Sequence, residues 1–259
     1  MTSPGRVHEA ARGFDRAAPA YERGRPEYPS DAVAYLAQQL DIRAGHTVLD
    51  LAAGTGKLTR QLLPFGPRVI AVEPSEGMRR VFRSAVPSVE PLDGTAEAIP
   101  LPDRCVDAVV VGQAFHWFRA PEALSEIARV LRPGGGLGLI WNKRDESVPW
   151  VARLGEMIHA HDHRGAPSAR EEAWVAAFGP AGPFGPLTRR DFHLVQRLTP
   201  HGVVERVLSV SFVATAPEEE QRAIASQVRR ILATFKATAG RAEVDLPYRT
   251  DVYVARLTS

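Results

Sequence analysis

The sequence predicts an α/β fold with parallel strands at its centre, and three observations carry that prediction. The first is a short apolar run, Val48-Leu49-Asp50-Leu51, that breaks into Ala52-Ala53-Gly54-Thr55-Gly56. An apolar run that ends in small residues reads as a buried strand entering a tight turn. The second is the helical spacing that follows, Lys57 to Leu63, with Leu58, Leu62 and Leu63 on one face. The third is another apolar run, Arg68 to Val72, closed by Glu73. Strand, helix and strand in this order make one βαβ unit.

This unit has a chemistry. Small residues let a ligand approach the main chain, and a helix start offers free N–H groups. A carboxylate at the second strand end can accept hydrogen bonds from both hydroxyls of a ribose. The ligand is therefore nucleotide-like. A phosphate loop does not fit, because counting back from Gly56-Lys57 puts Leu51 where the first glycine belongs and Leu58 where the hydroxyl belongs. A dinucleotide fingerprint is weakened, because its third glycine is Thr59 here.

The remaining elements follow in order. Ser30 can cap a helix that carries Val33, Leu36, Ala37 and Leu40. Pro74 and Ser75 begin another, with Met78, Val81 and Phe82 apolar, and residues 88–92 make a weak third strand. Asp107 leads into Ala108-Val109-Val110-Val111, whose lack of alternation predicts a fully buried fourth strand. Gly112-Gln113-Ala114-Phe115-His116-Trp117-Phe118 stands at its end. In open α/β sheets that end faces the ligand crevice, where a histidine can act as a base or orient an acceptor.

A helix over 120–131 stops at Arg132-Pro133-Gly134-Gly135-Gly136, and Leu137–Trp141 reads as the fifth strand. Trp150 to His163 and Glu171 to Phe178 read as helices. Phe192, Leu194 and Gln196 mark a sixth strand, residues 200–209 a helix, and Pro217 with Glu218, Glu219 and Glu220 the start of a long helix. Leu246 to Arg256 closes the chain as a seventh strand, and Val252 and Val254 alternating with Tyr253 predict a strand half exposed at one end of its run. Residues 1–29 carry Phe14, Tyr21, Arg25 and Tyr28, and read as an arm packed on the domain or a lid over the ligand.

Composition bounds the function. The 259 residues are 44% hydrophobic and 24% charged with a net charge of +2. That balance suits a globular α/β chain and gives no strong field for nucleic acid or a membrane surface. Cys105 is the only cysteine, so a disulfide framework is excluded and a reducing, cytoplasmic setting is expected. No apolar stretch reads as a signal core or a bilayer span. Of His159, His161 and His163, only the first and last share a helix face, and closed metal sites need further ligands; no metal is expected.

Asp50, Ala52, Gly54 and Gly56 resemble motif I of the class I S-adenosylmethionine-dependent methyltransferases, an acid followed by small residues at alternate positions, with Ala52 in place of the first glycine. Gly94-Thr95-Ala96-Glu97-Ala98-Ile99-Pro100-Leu101 resembles that family's loop beside the adenine, with Thr95 where an aspartate is usual. Leu131-Arg132-Pro133-Gly134-Gly135 resembles the segment before its fifth strand. Tyr21-Glu22-Arg23-Gly24-Arg25-Pro26-Glu27-Tyr28-Pro29, the Ala114–Phe118 string and the chain's ending resemble one small-molecule branch, similar to methyltransferase type 11.

The resemblance implies a Rossmann-like doubly wound sheet of seven strands, mostly parallel with the last strand antiparallel, plus helical cap insertions. It implies S-adenosyl-L-methionine as cofactor. Glu73, followed by Pro74, would hold the ribose; Gly54 and Gly56 would face the methionine part; Asp50 would act through the loop backbone or a water, and Ala52 belongs to the same cofactor-binding motif. Met78 would touch the adenine, with Thr95, Ala96 and Glu97 beside it. Tyr21 and Arg25 would lie near the methionine carboxylate, and Gln113 would line the methyl-donor end. The implied reaction is in-line methyl transfer to a small-molecule acceptor, with oxygen (hydroxyl or carboxylate) as the expected atom and His116 as its optional catalyst. A nicotinamide-dependent oxidoreductase and a non-methylating binder of the same cofactor are the alternatives. One methyltransferase domain over 1–259 is expected, with a lid arm at 1–29, a cofactor-binding core at 30–141 and a helical cap from 142–190 and 200–240.

Overall fold

A computed structural model describes residues 14–162, 172–179 and 182–258. Seven strands form one sheet: β1 (Thr47–Leu51), β2 (Arg68–Val72), β3 (Pro91–Leu92), β4 (Val106–Gly112), β5 (Leu131–Arg144), β6 (Thr188–Leu198) and β7 (Val244–Arg256). Their order is β3-β2-β1-β4-β5-β7-β6. β1 pairs in parallel with β2 on one side and β4 on the other, and β7 runs antiparallel to both β5 and β6. The sheet is thus doubly wound with its last strand reversed. The chain moves outward from β1 through β2 to β3, then crosses to β4 on the opposite side. This reversal opens a crevice above the carboxyl ends of β1 and β4.

The buried fourth strand shows why its sequence lacks alternation. Ala108 and Val110 face one layer, with Leu36 and Leu40 of α2 (Ser30–Gln39) and its C-cap and with Leu58 and Leu62 of α3 (Lys57–Leu62). Val109 and Val111 face the other, with Leu124 and Ile127 of α5 (Ala120–Val130). The helix α4 (Glu76–Ala85) packs Phe82 against Ala53 and Ala71 at the start of the crevice. Beyond β5 lie α6 (Pro149–Ala160), α7 (Pro200–Leu208), α8 (Ser211–Ala214) and α9 (Glu218–Thr234). Trp150 and Leu154, Val203 and Val207, and Val228 and Leu232 close a second core over Leu246 and Tyr248 of β7.

Several expectations need correction. The N-terminal arm contains a helix, α1 (Phe14–Gly24), which spans Pro19; that proline hides the helix from a reading by propensity. β5 begins at Leu131, which pairs with Val106; residues 132–135 then bulge out, with Gly134 at φ 80°, before pairing resumes between Gly136 and Ala108. Gly135 permits this: a Cβ there would lie 2.9 Å from the Asp107 carbonyl. α6 ends at Ala160, so His161 is its cap and His159 alone of the three histidines lies on the helix, while His163 falls outside the described residues. Glu172–Ala177 is a 3-10 helix, and Glu171 is outside the described residues. β7 is half exposed at one end, as expected, with the alternation at 244–249, but Val252, Tyr253 and Val254, which suggested it, are buried on both faces between β5 and β6.

Candidate active site

The loop after β1 has the backbone strain typical of functional corners. Ala52 has φ 56°, Gly54 φ 59° and Gly56 φ 86°, and Gln113 at the end of the neighbouring β4 has φ 61°. Two of these are non-glycine residues in the left-handed region, side by side above the switch point. The two glycines differ in purpose. A Cβ on Gly54 would meet nothing within 4 Å, so this position opens on the crevice. A Cβ on Gly56 would lie 2.6 Å from Val86 Cγ2 and 2.9 Å from Phe82 Cδ2, so its bare backbone serves the packing of α4.

Glu73 sits one residue past β2 and is 6% exposed. Its Oε2 accepts the Gly54 N–H at 2.9 Å and its Oε1 accepts the Ser75 N–H at 2.9 Å. One carboxylate therefore pins both loops at the strand ends. Burial raises its pKa to about 7, against those two hydrogen bonds and the nearby Arg79. Asp50 lies inside β1, with Oδ2 accepting the Thr59 hydroxyl at 2.6 Å. Its Oδ1 is buried without a hydrogen-bond partner, and burial raises its pKa to about 6.

The expected adenine side is more closed. Pro74 is half-buried between Glu73 and the N-cap of α4, where the Ser75 hydroxyl accepts the Met78 N–H at 3.2 Å. Met78 is 4% exposed. Thr95 Oγ1 is buried with no hydrogen-bond partner, Ala96 belongs to the main core, and Glu97 Oε1 accepts the Arg119 N–H at the start of α5.

α1 lies over this corner and is held by charge. Glu22 Oε2 accepts the Thr55 hydroxyl at 2.5 Å, and its Oε1 lies 2.8 Å from Arg60 Nη2. Glu27 pairs with Arg60 and with Lys57 Nζ, the latter at 3.3 Å. Tyr28 and Gln61 exchange two hydrogen bonds, and the Tyr28 hydroxyl stands directly over Gly112, where a Cβ would lie 2.5 Å away. The Glu27 carbonyl accepts Asn142 Nδ2 at 2.9 Å, while Gln113 Nε2 donates to the Asn142 carbonyl at 3.2 Å. Under this cover is a cavity of about 40 Å³, lined among others by Tyr21, Arg25, Asp50, Gly54, Gln113 and Arg206. The guanidinium of Arg25 lies 5.1 Å from the centre of the Tyr21 ring.

His116 occupies a 3-10 turn, Phe115–Trp117, just past β4. Its Nδ1 accepts Trp141 Nε1–H at 3.3 Å. A neutral imidazole that accepts at Nδ1 carries its proton on Nε2. Burial, with Arg25 and Lys143 nearby, lowers its pKa to about 3. At neutral pH this ring is an uncharged Nε2–H donor. The arrangement fits orienting an acceptor better than taking its proton. Elsewhere, His161 lies 3.2 Å from both Glu220 Oε1 and Gln227 Nε2. Among the described residues, no helix is long and apolar enough to cross a membrane.

The structure thus brings Tyr21, Arg25, Asp50, Ala52, Gly54 and Gln113 to one cavity, with Glu73 hydrogen-bonded to its rim. Sequence reasoning missed Glu22, Glu27, Lys57, Arg60, Tyr28, Asn142 and Arg206. Their partners lie 30 or more residues away, so no local pattern marks them.

A doubly wound sheet, a strained glycine corner at its switch point and an acid one strand away define a class I methyltransferase. The comparisons agree, and the chain belongs to the methyltransferases. A methyltransferase domain family matches residues 49–139. An uncharacterized methyltransferase of Mycobacterium tuberculosis is 43% identical over 92% of this chain and 92% of its own length. The malonyl-[acyl-carrier protein] O-methyltransferase of Methylococcus capsulatus is 43% identical over 35% of each chain. A solved methyltransferase structure from Anaeromyxobacter dehalogenans superposes with a TM-score of 0.66 at 25% identity, covering 90% of this chain and 96% of that one.

Proposed function

We propose that this chain binds S-adenosyl-L-methionine in the crevice above β1 and transfers its methyl group to an oxygen of a small-molecule acceptor. The observation that carries the reading is the Glu73 carboxylate tied to the Gly54 N–H at the switch point of the sheet. The buried groups fit that cofactor. Glu73, whose two oxygens each accept one main-chain N–H, would take the ribose hydroxyls on its remaining lone pairs, Gly54 leaves its Cβ direction open, and Asp50 Oδ1 and Thr95 Oγ1 have unused hydrogen-bonding capacity. Gln113 would line the methyl-donor end, and Tyr21 with Arg25 the end that receives the methionine carboxylate. Met78, Ala96 and Glu97 would border the adenine.

When bound, the cofactor supplies an activated sulfonium methyl group, so the protein's task is alignment rather than activation. His116, neutral and donating from Nε2, orients the acceptor oxygen. The O-methyltransferase relative supports oxygen as the acceptor atom. The described helices within 142–190 and 200–240 act as the substrate cap and α1 as the lid; residues 1–13 of the expected arm and 163–171 and 180–181 of the expected cap lie outside the described residues. The cavity of about 40 Å³ is small beside the roughly 300–1,000 Å³ of small-molecule sites, and neither Glu73 nor Thr95 lines it; in this reading α1 moves aside as the cofactor enters. The cytoplasm, with its reducing conditions and cofactor supply, is the proposed compartment.

The reading is tested by thermal denaturation with S-adenosylhomocysteine and with NADH. Ligand binding raises the melting temperature by mass action. A rise with the first compound alone supports methyl transfer; a rise with NADH alone would replace it with the oxidoreductase reading.

A further inference from the structure

The elements after β6 bring a second arginine to the cavity. Arg206, on α7, is 3% exposed. Its Nε donates to the Tyr248 hydroxyl at 2.9 Å, and that hydroxyl donates to Gln196 Oε1 at 3.0 Å. Its Nη1 is buried with no hydrogen-bond partner. Gly24, at the end of α1, lies against it: a Cβ there would be 3.5 Å from Arg206 Cα.

Arg25 repeats the pattern from the other side. Its Nε is buried without a partner, and its Nη2 makes one long bond, 3.4 Å, to the Ser209 carbonyl. Both arginines line the same cavity. They repel: burial and then Arg206 lower the pKa of Arg25 to about 9, and Arg144 adds to the effect. The nearest lid acids pair elsewhere, Glu22 with Thr55 and Arg60, and Glu27 through Oε1 with Lys57 and Arg60; Glu27 Oε2 is buried without a hydrogen bond, and neither acid is among the groups that shift the Arg25 pKa. Asp50, the acid among the cavity-lining residues, accepts from Thr59 at Oδ2, and its unbonded Oδ1 makes no hydrogen bond to either arginine. Two buried guanidiniums with unused donors are costly unless an anion completes them. A guanidinium offers a planar fork of donors, which a carboxylate matches with two parallel bonds.

We infer that Arg206 and Arg25 together form a carboxylate site, one guanidinium from the lid and one from the cap. The inference rests on the methyl-transfer reading of the crevice. Two ligands can bring that group: an acidic acceptor, or the methionine end of the cofactor. An acceptor acid held here is anchored rather than methylated at that group, since two guanidiniums draw charge from its oxygens; the methyl then goes to another oxygen of the same molecule.

The test compares wild type with Arg206→Met, which keeps volume without charge, and Arg206→Lys, which keeps charge without the fork. Calorimetry measures S-adenosylhomocysteine and 5′-methylthioadenosine, which lacks the amino-acid part. Thermal denaturation measures succinate against neutral succinamide, on apo and S-adenosylhomocysteine-loaded protein. Arg206→Met is expected to melt no lower than wild type when apo. A loss of at least tenfold in S-adenosylhomocysteine affinity, with 5′-methylthioadenosine unchanged, assigns the carboxylate to the cofactor. A stabilisation by succinate but not succinamide that vanishes in Arg206→Met and is reduced in Arg206→Lys assigns it to the acceptor. If both nucleosides bind all variants alike and succinate has no Arg206-dependent effect, the site does not exist. Should wild type bind neither nucleoside, the cofactor reading fails, and succinate on apo protein still decides the arginine pair.

Discussion

The corner at the ends of β1 and β2 and the cover formed by α1 with α7 are built in opposite ways. The corner is made from backbone: a strained φ at Ala52, a left-handed Gly54, and N–H groups gathered by Glu73. The cover is made from side chains that meet across long stretches of sequence, Glu22 with Arg60 and Gln196 with the Gly24 carbonyl. The difference separates two tasks. A backbone corner holds a constant ligand in one geometry. A side-chain cover can release, close again and vary from one acceptor to another.

That contrast can be broken at its rigid side first. Gly56→Val places a side chain where even a Cβ comes within 2.6 Å of Val86, at φ 86°. Strain and overpacking together should cost about 3–5 kcal/mol; urea unfolding should show a large fall in midpoint. An unchanged midpoint would mean that the corner tolerates what its geometry forbids.

The cover should respond in rate rather than fold. Glu22→Gln with Glu27→Gln removes the half-exposed pairs to Lys57 and Arg60, each worth up to about 1 kcal/mol. Stopped-flow release of S-adenosylhomocysteine should quicken by roughly tenfold, and high salt should shrink the difference from wild type. Equal release rates would leave α1 as a fixed part of the fold.

The buried acids sharpen the comparison through pH. Folding raises the pKa of Asp50 from 3.8 to about 6, so between those values the folded chain keeps a proton that the unfolded chain has lost. Stability of the apo protein therefore falls as pH rises through that window. Asp50→Asn can keep the Thr59 bond and should flatten this slope, gaining on the order of 2 kcal/mol relative to wild type at pH 8. Parallel stability curves would show that Asp50 is solvated or paired when folded. The smallest effect belongs to the proposed adenine side: Thr95→Val removes one buried hydroxyl and should weaken S-adenosylhomocysteine about threefold by calorimetry, with no change if Thr95 faces away from the ligand.

Much of the corner was legible in the sequence because its rules are local. A strand that stops at small residues, and an acid one helix and one strand later, state their geometry within 47–73. The same holds for the buried β4, where unbroken Val residues require two covered faces. The cover was legible only in part. Tyr21 and Arg25 stood out by resemblance, but nothing near Arg206 announces a partner 181 positions earlier, and Pro19 concealed the helix that carries Tyr21. His116 was found by its place after β4, while its protonation depends on Trp141, Arg25 and Lys143, which only the fold assembles.

The central claim is that the Glu73–Gly54 corner seats the ribose of an adenosyl sulfonium. Titration calorimetry of S-adenosylhomocysteine into wild type and Glu73→Gln at pH 8 tests it most directly. We expect saturable binding to wild type and a loss of roughly 10–100-fold in the variant, the worth of hydrogen bonds to a charged acceptor. Equal affinity in both proteins, or no heat with folded wild type, would contradict it.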